Sequence, residues 1–335
     1  MTLKTTLLAT TLAATTLPAL AAEVNVYSYR QPELLAPLTE AFTAKTGIAV
    51  NVAYLESGMV ERLKAEGTRT PADMILTVDI ARLSEAQDAG VLQPVTTEAL
   101  TTHVPAAFHD PEGYWWGLTT RARVVYAAKD RVAEGEVTTY EDLADPKWAG
   151  RICTRSGMHD YMIGLTSAYL THHTAEETAA WLEGLKANLA RKPQGNDRAQ
   201  VKAIWAGECD LSLGNTYYMG AMLADEEQKA WADAVRLDFP VFEGGGTHVN
   251  ISGVGLTQHA KNVEEAIAFM EFLASPEAQE IYAEANNEYP ISPDASPSEL
   301  VASWGTFTAD DVNLMDIAAQ RGEALRLTET VDYDG

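Results

Sequence analysis

Residues 23–29 alternate apolar and polar side chains with a period of two, which predicts a strand. Pro32 then opens a helix. Leu34, Leu35, Leu38 and Phe42 fall on one stripe of it, and Gly47 stops it. Residues 48–55 alternate again and are rich in β-branched side chains, a second strand. Residues 59–66 read as a short helix ended by Gly67. Residues 72–78 are nearly continuous in apolar side chains, as in a strand covered on both faces. The order strand, helix, strand, helix, strand predicts a doubly wound α/β fold.

The middle of the chain repeats the theme less regularly. Residues 138–146 read as a loop with a short helix. Strands are expected at 151–154, 208–213 and 249–256. Helices are expected at 161–169, 176–188, 197–206, 262–273 and 276–286, the third capped by Asn196 or Asp197. The run Gly244-Gly245-Gly246 reads either as a flexible joint or as an ordinary hairpin loop. Between two α/β lobes, such a joint would be a hinge around a cleft.

The first segment stands apart from this pattern. Lys4, an apolar stretch over 7–14 and small residues up to Ala21 and Ala22 form a secretory signal arrangement, residues 1–22. No later stretch is long and apolar enough to span a membrane, so the expectation is an exported, soluble chain. Cys153 and Cys209 are the two cysteines, and their spacing fits neither a redox nor a zinc motif. An even count in an exported protein favours a disulfide. Two buried free thiols are the alternative.

The 335 residues carry 48 acidic against 24 basic side chains, a formal charge of -24. That balance excludes nucleic acid and anionic lipid as partners, because both need a basic surface. Catalytic signatures are missing. There is no GxSxG, no HExxH, no P-loop and no GxGxxG after a strand, so no enzyme is expected. Tyrosine is the more informative residue, at 13 against 7 phenylalanines. Tyr161, Tyr217 and Tyr218 fall where strand ends meet helix starts. In open α/β sheets that edge is where ligands bind. Clustered phenols suit a hard cation such as Fe(III), which can deprotonate them. Alternatively, the rings fill a wall with their hydroxyls paired locally.

Several stretches together resemble the periplasmic ferric-iron-binding proteins, soluble receptors of iron(III) ABC importers. They include Val26-Tyr27-Ser28-Tyr29-Arg30-Gln31-Pro32, Gly117-Leu118-Thr119-Thr120-Arg121-Ala122-Arg123-Val124 and Gly214-Asn215-Thr216-Tyr217-Tyr218. Residues 71–79, 188–195, 246–253 and 304–307 extend the resemblance along the whole chain after the leader. It implies a type II periplasmic binding protein: two doubly wound α/β lobes, a hinge and a ligand cleft. The lobes would be residues 23–120 with 246–296, and 121–245 with 297–335. The hinge would lie near Thr119–Arg121 and Gly244–Gly246. Tyr161, Tyr217 and Tyr218 match the family's metal-binding tyrosines. Some members add a His-Tyr pair after the first arginine; here Gln31-Pro32 follows Arg30, so that pair is absent. The resemblance therefore implies the three-tyrosine type, with a synergistic anion such as carbonate completing the iron shell. Arg121, Arg30 and Gln31 are expected at the anion or cleft wall. Arg123 alternates with Arg121, so one of the two is expected to point away. The implied partner is an inner-membrane ABC permease, and the implied state a monomer. The runner-up is the same fold binding an organic solute, a polyamine or a phosphonate. A polyamine would stack on the adjacent tyrosines and on Trp115-Trp116.

Overall fold

The computed structural model describes residues 22–335, so residues 1–21 of the expected signal segment lie outside the described residues. The strands are β1 (Glu23–Ser28), β2 (Ala49–Tyr54), β3 (Met74–Thr77), β4 (Leu92–Gln93) and β5 (Trp116–Ala128). They continue as β6 (Ile152–Cys153), β7 (Leu211–Asn215), β8 (Val235–Asp238), β9 (Val249–Thr257) and β10 (Tyr289–Pro290). They join in the order β2-β1-β3-β9-β5-β7-β6. β1 pairs in parallel with both β2 and β3, as the βαβαβ pattern requires. β6 and β7 form a second parallel pair. This is a mixed α/β architecture.

Two long antiparallel strands tie these parallel units together. The first part of β5 pairs with β9, with Arg121 opposite Asn250 and Ala122 opposite Val249. Its last part pairs instead with β7 and β8. All 13 residues of β5 are buried, including the polar stretch Thr119-Thr120-Arg121. The hydrophobic pattern does not predict this strand. Thr119 donates to Glu288 and Arg121 to the Val78 carbonyl, distant partners that a linear pattern does not register.

Helix boundaries follow local chemistry. Pro32 starts helix Pro32–Thr46, and Gly47, in the left-handed region, returns its N–H to the Thr43 carbonyl. Thr174 and Glu177 form a capping box on Ala175–Ala187. Asn196, not Asp197, caps Asp197–Trp205. That leaves the Asp197 carboxylate, fully buried, for another task.

The glycine run is a tight turn and not a slack joint. Phe242 donates its N–H to the Gly246 carbonyl, and Gly245 donates to that of Phe242. A Cβ on Gly245 would meet the His172 ring at 2.6 Å, and one on Gly246 would meet the Ala309 backbone at 2.5 Å. These glycines are required by close approach of neighbouring chain. The strand crossing lies just beyond, where β9 runs beside β5.

Cys153 and Cys209 are disulfide-bonded, with Cα atoms 5.9 Å apart. The bond fastens the end of β6 to the turn before β7.

Candidate functional site

Loops at the carboxyl ends of β1, β2, β3 and β7 surround a cleft of about 560 Å³. Tyr161 stands in the first turn of helix Asp160–His172. His159 caps this helix, its Nδ1 accepting the Tyr161 N–H at 3.1 Å. Burial and the nearby Arg155 hold the His159 ring down to about 4, so it stays neutral and able to accept. Tyr217 and Tyr218 open helix Tyr217–Leu223, directly after β7.

The fold brings these three tyrosines together. The Tyr161 and Tyr217 hydroxyls are 3.0 Å apart. The Tyr217 and Tyr218 rings lie 4.3 Å apart at their centroids. Burial and the two neighbouring phenols push Tyr217 well above the usual phenol range. Burial and Tyr161 push Tyr218 up to about 12. Both therefore keep their protons at neutral pH unless a cation displaces them.

Arginines shape the opposite wall. Arg121 is buried, donates from Nη2 to the Val78 carbonyl and lies 3.9 Å from Asp79. Its Nε and Nη1 have no hydrogen-bond partner. Burial pushes the Asp79 carboxyl up while Arg121 pulls it down, and burial prevails. Arg30 is more fully engaged. Its Nη2 donates to Glu288 at 2.8 Å and to Ser252 at 2.9 Å, and its Nε to the Tyr282 hydroxyl at 3.1 Å. Burial alone would raise Glu288, but Arg30 and Arg121 hold it below the usual carboxylate range. Gln31 lies exposed at the cleft, at the cap position of helix Pro32–Thr46, with no capping bond from its side chain.

Other residues fall differently from expectation. Arg121 and Arg123 are both buried, in a strand buried on both faces, and only Arg121 lines the cleft. Arg123 differs in its partners, Asp197 at 2.7 Å and Asn215 at 3.1 Å. Trp115 and Trp116 are core residues, and Trp116 donates to the Val95 carbonyl at 2.9 Å. Both are fully buried and neither lines the cleft, so they offer no stacking surface to a polyamine there. Tyr27 turns away to bond Glu66, whereas Tyr29 lines the cleft with its hydroxyl accepting the Met59 N–H.

Sequence reasoning missed two cleft arginines. The Arg82 guanidinium stacks 4.2 Å from the Tyr29 ring, and that of Arg198 lies 6.0 Å from the Tyr218 ring. Each follows closely on a capped helix start, at Asp79 and Asn196. Those caps were the available signal, because helix starts at this sheet edge face the ligand. Among the described residues, no three His, Cys, Asp or Glu side chains gather as a metal site.

Three half-buried phenols and an arginine with unpaired N–H groups line one cleft at the carboxyl edge of the sheet, the geometry of a solute receptor. The family description of bacterial extracellular solute-binding proteins matches residues 38–309. The chain belongs to that family, in its ferric-iron-binding group. This solute-binding protein is 46% identical over 300 residues to iron uptake protein A1 of Synechocystis sp., across 89% of the chain and 83% of the relative. It is 30% identical to the major ferric iron-binding protein of Neisseria meningitidis, across 93% of each. Its structure is similar to ferric iron-binding protein A of Mannheimia haemolytica in an open conformation. There the TM-score is 0.91 and the identity 49%, over 94% of this chain and all (100%) of that one. A Trichodesmium protein solved in complex with iron and citrate matches at TM-score 0.90 and 40% identity, over 93% and 100% of the two chains. Like these relatives, the solute-binding protein is not an enzyme.

Proposed function

We propose that this protein is a periplasmic Fe(III) receptor that delivers iron to an inner-membrane ABC permease. Tyr161, Tyr217 and Tyr218 hold the metal as phenolates, and carbonate or a similar anion fills the remaining positions. The observation that carries this reading is the gathering of three phenols, two of them with hydroxyls 3.0 Å apart. Three phenolates balance the charge of Fe(III), and phenolate oxygen is a hard donor suited to a hard cation. The unpartnered Nε and Nη1 of Arg121 leave N–H donors for an anion. Arg30 and Gln31 complete that wall. Relatives named for ferric iron support the same cargo.

Capture would close two lobes, residues 23–120 with 246–296 and 121–245 with 297–335. The bend would fall along β5 and β9, near Thr119–Arg121. Closure is driven only by the preference of iron and anion for the closed state. The chain acts as a monomer and reaches the periplasm through its signal segment, residues 1–22.

The organic-solute alternative is weakened by charge. The cleft holds Arg30, Arg82, Arg121 and Arg198 against Glu56 and Glu288. That surplus repels a polyamine, though it would suit a phosphonate. Ferric citrate added to the purified protein separates the two. A red complex, lost in Tyr217→Phe and Tyr218→Phe, is expected for phenolate-bound iron. A colourless protein stabilised against heat by a phosphonate would replace this reading. Full colour and affinity in the double variant would remove the tyrosines from the site.

A further inference from the structure

Asp197 is fully buried and bonds three separate segments at once. Its Oδ2 accepts from Arg123 Nη1 at 2.7 Å and from the Asn215 backbone N–H at 3.0 Å. Its Oδ1 accepts from Arg155 Nη1 at 2.8 Å. Arg123 belongs to β5. Arg155 belongs to the loop between β6 and the helix that carries Tyr161. Asn215 ends β7, two residues before Tyr217. Asn215 is fixed further by Arg123 Nη1 on its Oδ1 at 3.1 Å and by the Tyr126 hydroxyl on its carbonyl at 2.6 Å.

The same two guanidinium groups lie against a cleft tyrosine. The Arg155 carbon sits 5.0 Å from the Tyr161 ring centroid, and that of Arg123 5.8 Å. Two cations share one carboxylate, so the cluster keeps a surplus positive charge inside the protein. A fold does not hold such a surplus at no cost, because buried charge is stable only when compensated. The Nε atoms of both arginines also lack hydrogen-bond partners. The aromatic face of Tyr161 is the electron-rich surface these cations meet.

From this geometry we infer that the Arg123–Asp197–Arg155 cluster is the positioning device of the metal site. It fixes the Tyr161 ring relative to the Tyr217-Tyr218 helix start and presents positive charge to the ring that holds the cation. The inference rests on the proposed tyrosine ligation and adds to it the residues that set the ligands' spacing. None of the three touches iron; they act through Tyr161 and Asn215. Groups that orient metal ligands in this way carry a large share of affinity.

The test compares ferric titrations against citrate, with the visible band maximum recorded for each protein. Tyr217→Phe serves as the control for ligation itself. Asp197→Asn and Arg155→Met are expected to weaken iron binding by roughly 10- to 100-fold and to displace the band, which a purely structural role would leave in place. Arg155→Lys, which restores the charge, is expected to recover the wild-type band. Arg155 is 8% exposed, at the edge of the cluster, so Arg155→Met carries the test even if Asp197→Asn does not fold. Loss of colour in Tyr217→Phe with unchanged affinity and band in Arg155→Met would overturn the inference and leave the proposed function standing. Full colour in Tyr217→Phe would instead strike the proposed function.

Discussion

One wall of the cleft holds Arg30 bonded to Glu288, Ser252 and Tyr282, with Arg121 anchored on Val78. The other holds three phenols at the starts of two helices, two of them bonded chiefly to each other. Arg30 is already satisfied, whereas Arg121 keeps its Nε and Nη1 free. The phenol wall is frustrated: neighbouring hydroxyls crowd, and burial holds Tyr217 and Tyr218 above the usual phenol range. A frustrated donor cluster gains the most from a cation, because the cation removes the protons and the crowding together. On the proposed reading, the tyrosine wall captures iron and the arginine wall closes over it with the anion.

Changes to the tyrosine wall should cost most. Tyr217→Phe or Tyr218→Phe is expected to abolish the phenolate-to-iron band and to lower affinity by more than the roughly 100-fold reached by outer groups. Absorption titration with ferric citrate measures both. On the arginine wall, Arg121→Met removes the two free donors. Affinity is expected to fall roughly 10- to 100-fold, the worth of a charge-assisted hydrogen bond, and to lose its response to added bicarbonate. An Arg121→Met protein that still responds to bicarbonate would move the anion elsewhere.

Acid sharpens the same contrast. The Tyr217 and Tyr218 phenols are held above their usual range, so on the proposed ligation iron displaces a proton from each. Affinity should therefore drop about tenfold per pH unit of acidification for each proton released. Proton release on loading, read in weakly buffered solution, checks the count. Without iron the sign reverses. A raised folded value for Tyr218 contributes stability that is present below about pH 10. That stability is lost as pH rises through about 12. Alkaline melting of the iron-free protein is the measurement.

The smallest effect on iron is expected from the disulfide. Cys153 and Cys209 close a loop of 56 residues, worth about 4 kcal/mol on the chain-entropy account. Cys153→Ala with Cys209→Ala should lower the melting temperature while keeping the colour. Loss of colour in that variant would show that the β6–β7 fastening also holds the tyrosine wall.

Much of the framework is legible in the sequence because its physics is local. The period of two over 23–29 and 48–55, Pro32 with Gly47, and the cap at Asn196 each act through neighbouring residues. The tyrosines at the turns after β6 and β7 are visible for the same reason. β5 is not, since Thr119, Thr120 and Arg121 break its apolar run, and their burial depends on distant partners. The glycine run leaves joint and ordinary turn open, because a flexible turn and a crowded one use the same residue.

The sequence alone therefore determines the strand-and-helix order, the turns that carry Tyr161, Tyr217 and Tyr218, and an acidic surface unsuited to nucleic acid. Only the tertiary structure decides that Tyr161, 56 residues before Tyr217, comes to hydroxyl contact with it. It alone decides that Arg121 keeps free donors while Arg123 is spent on Asp197. Those outcomes depend on which burial and which hydrogen bonds remain unsatisfied once the chain has packed, and local pattern carries no record of that.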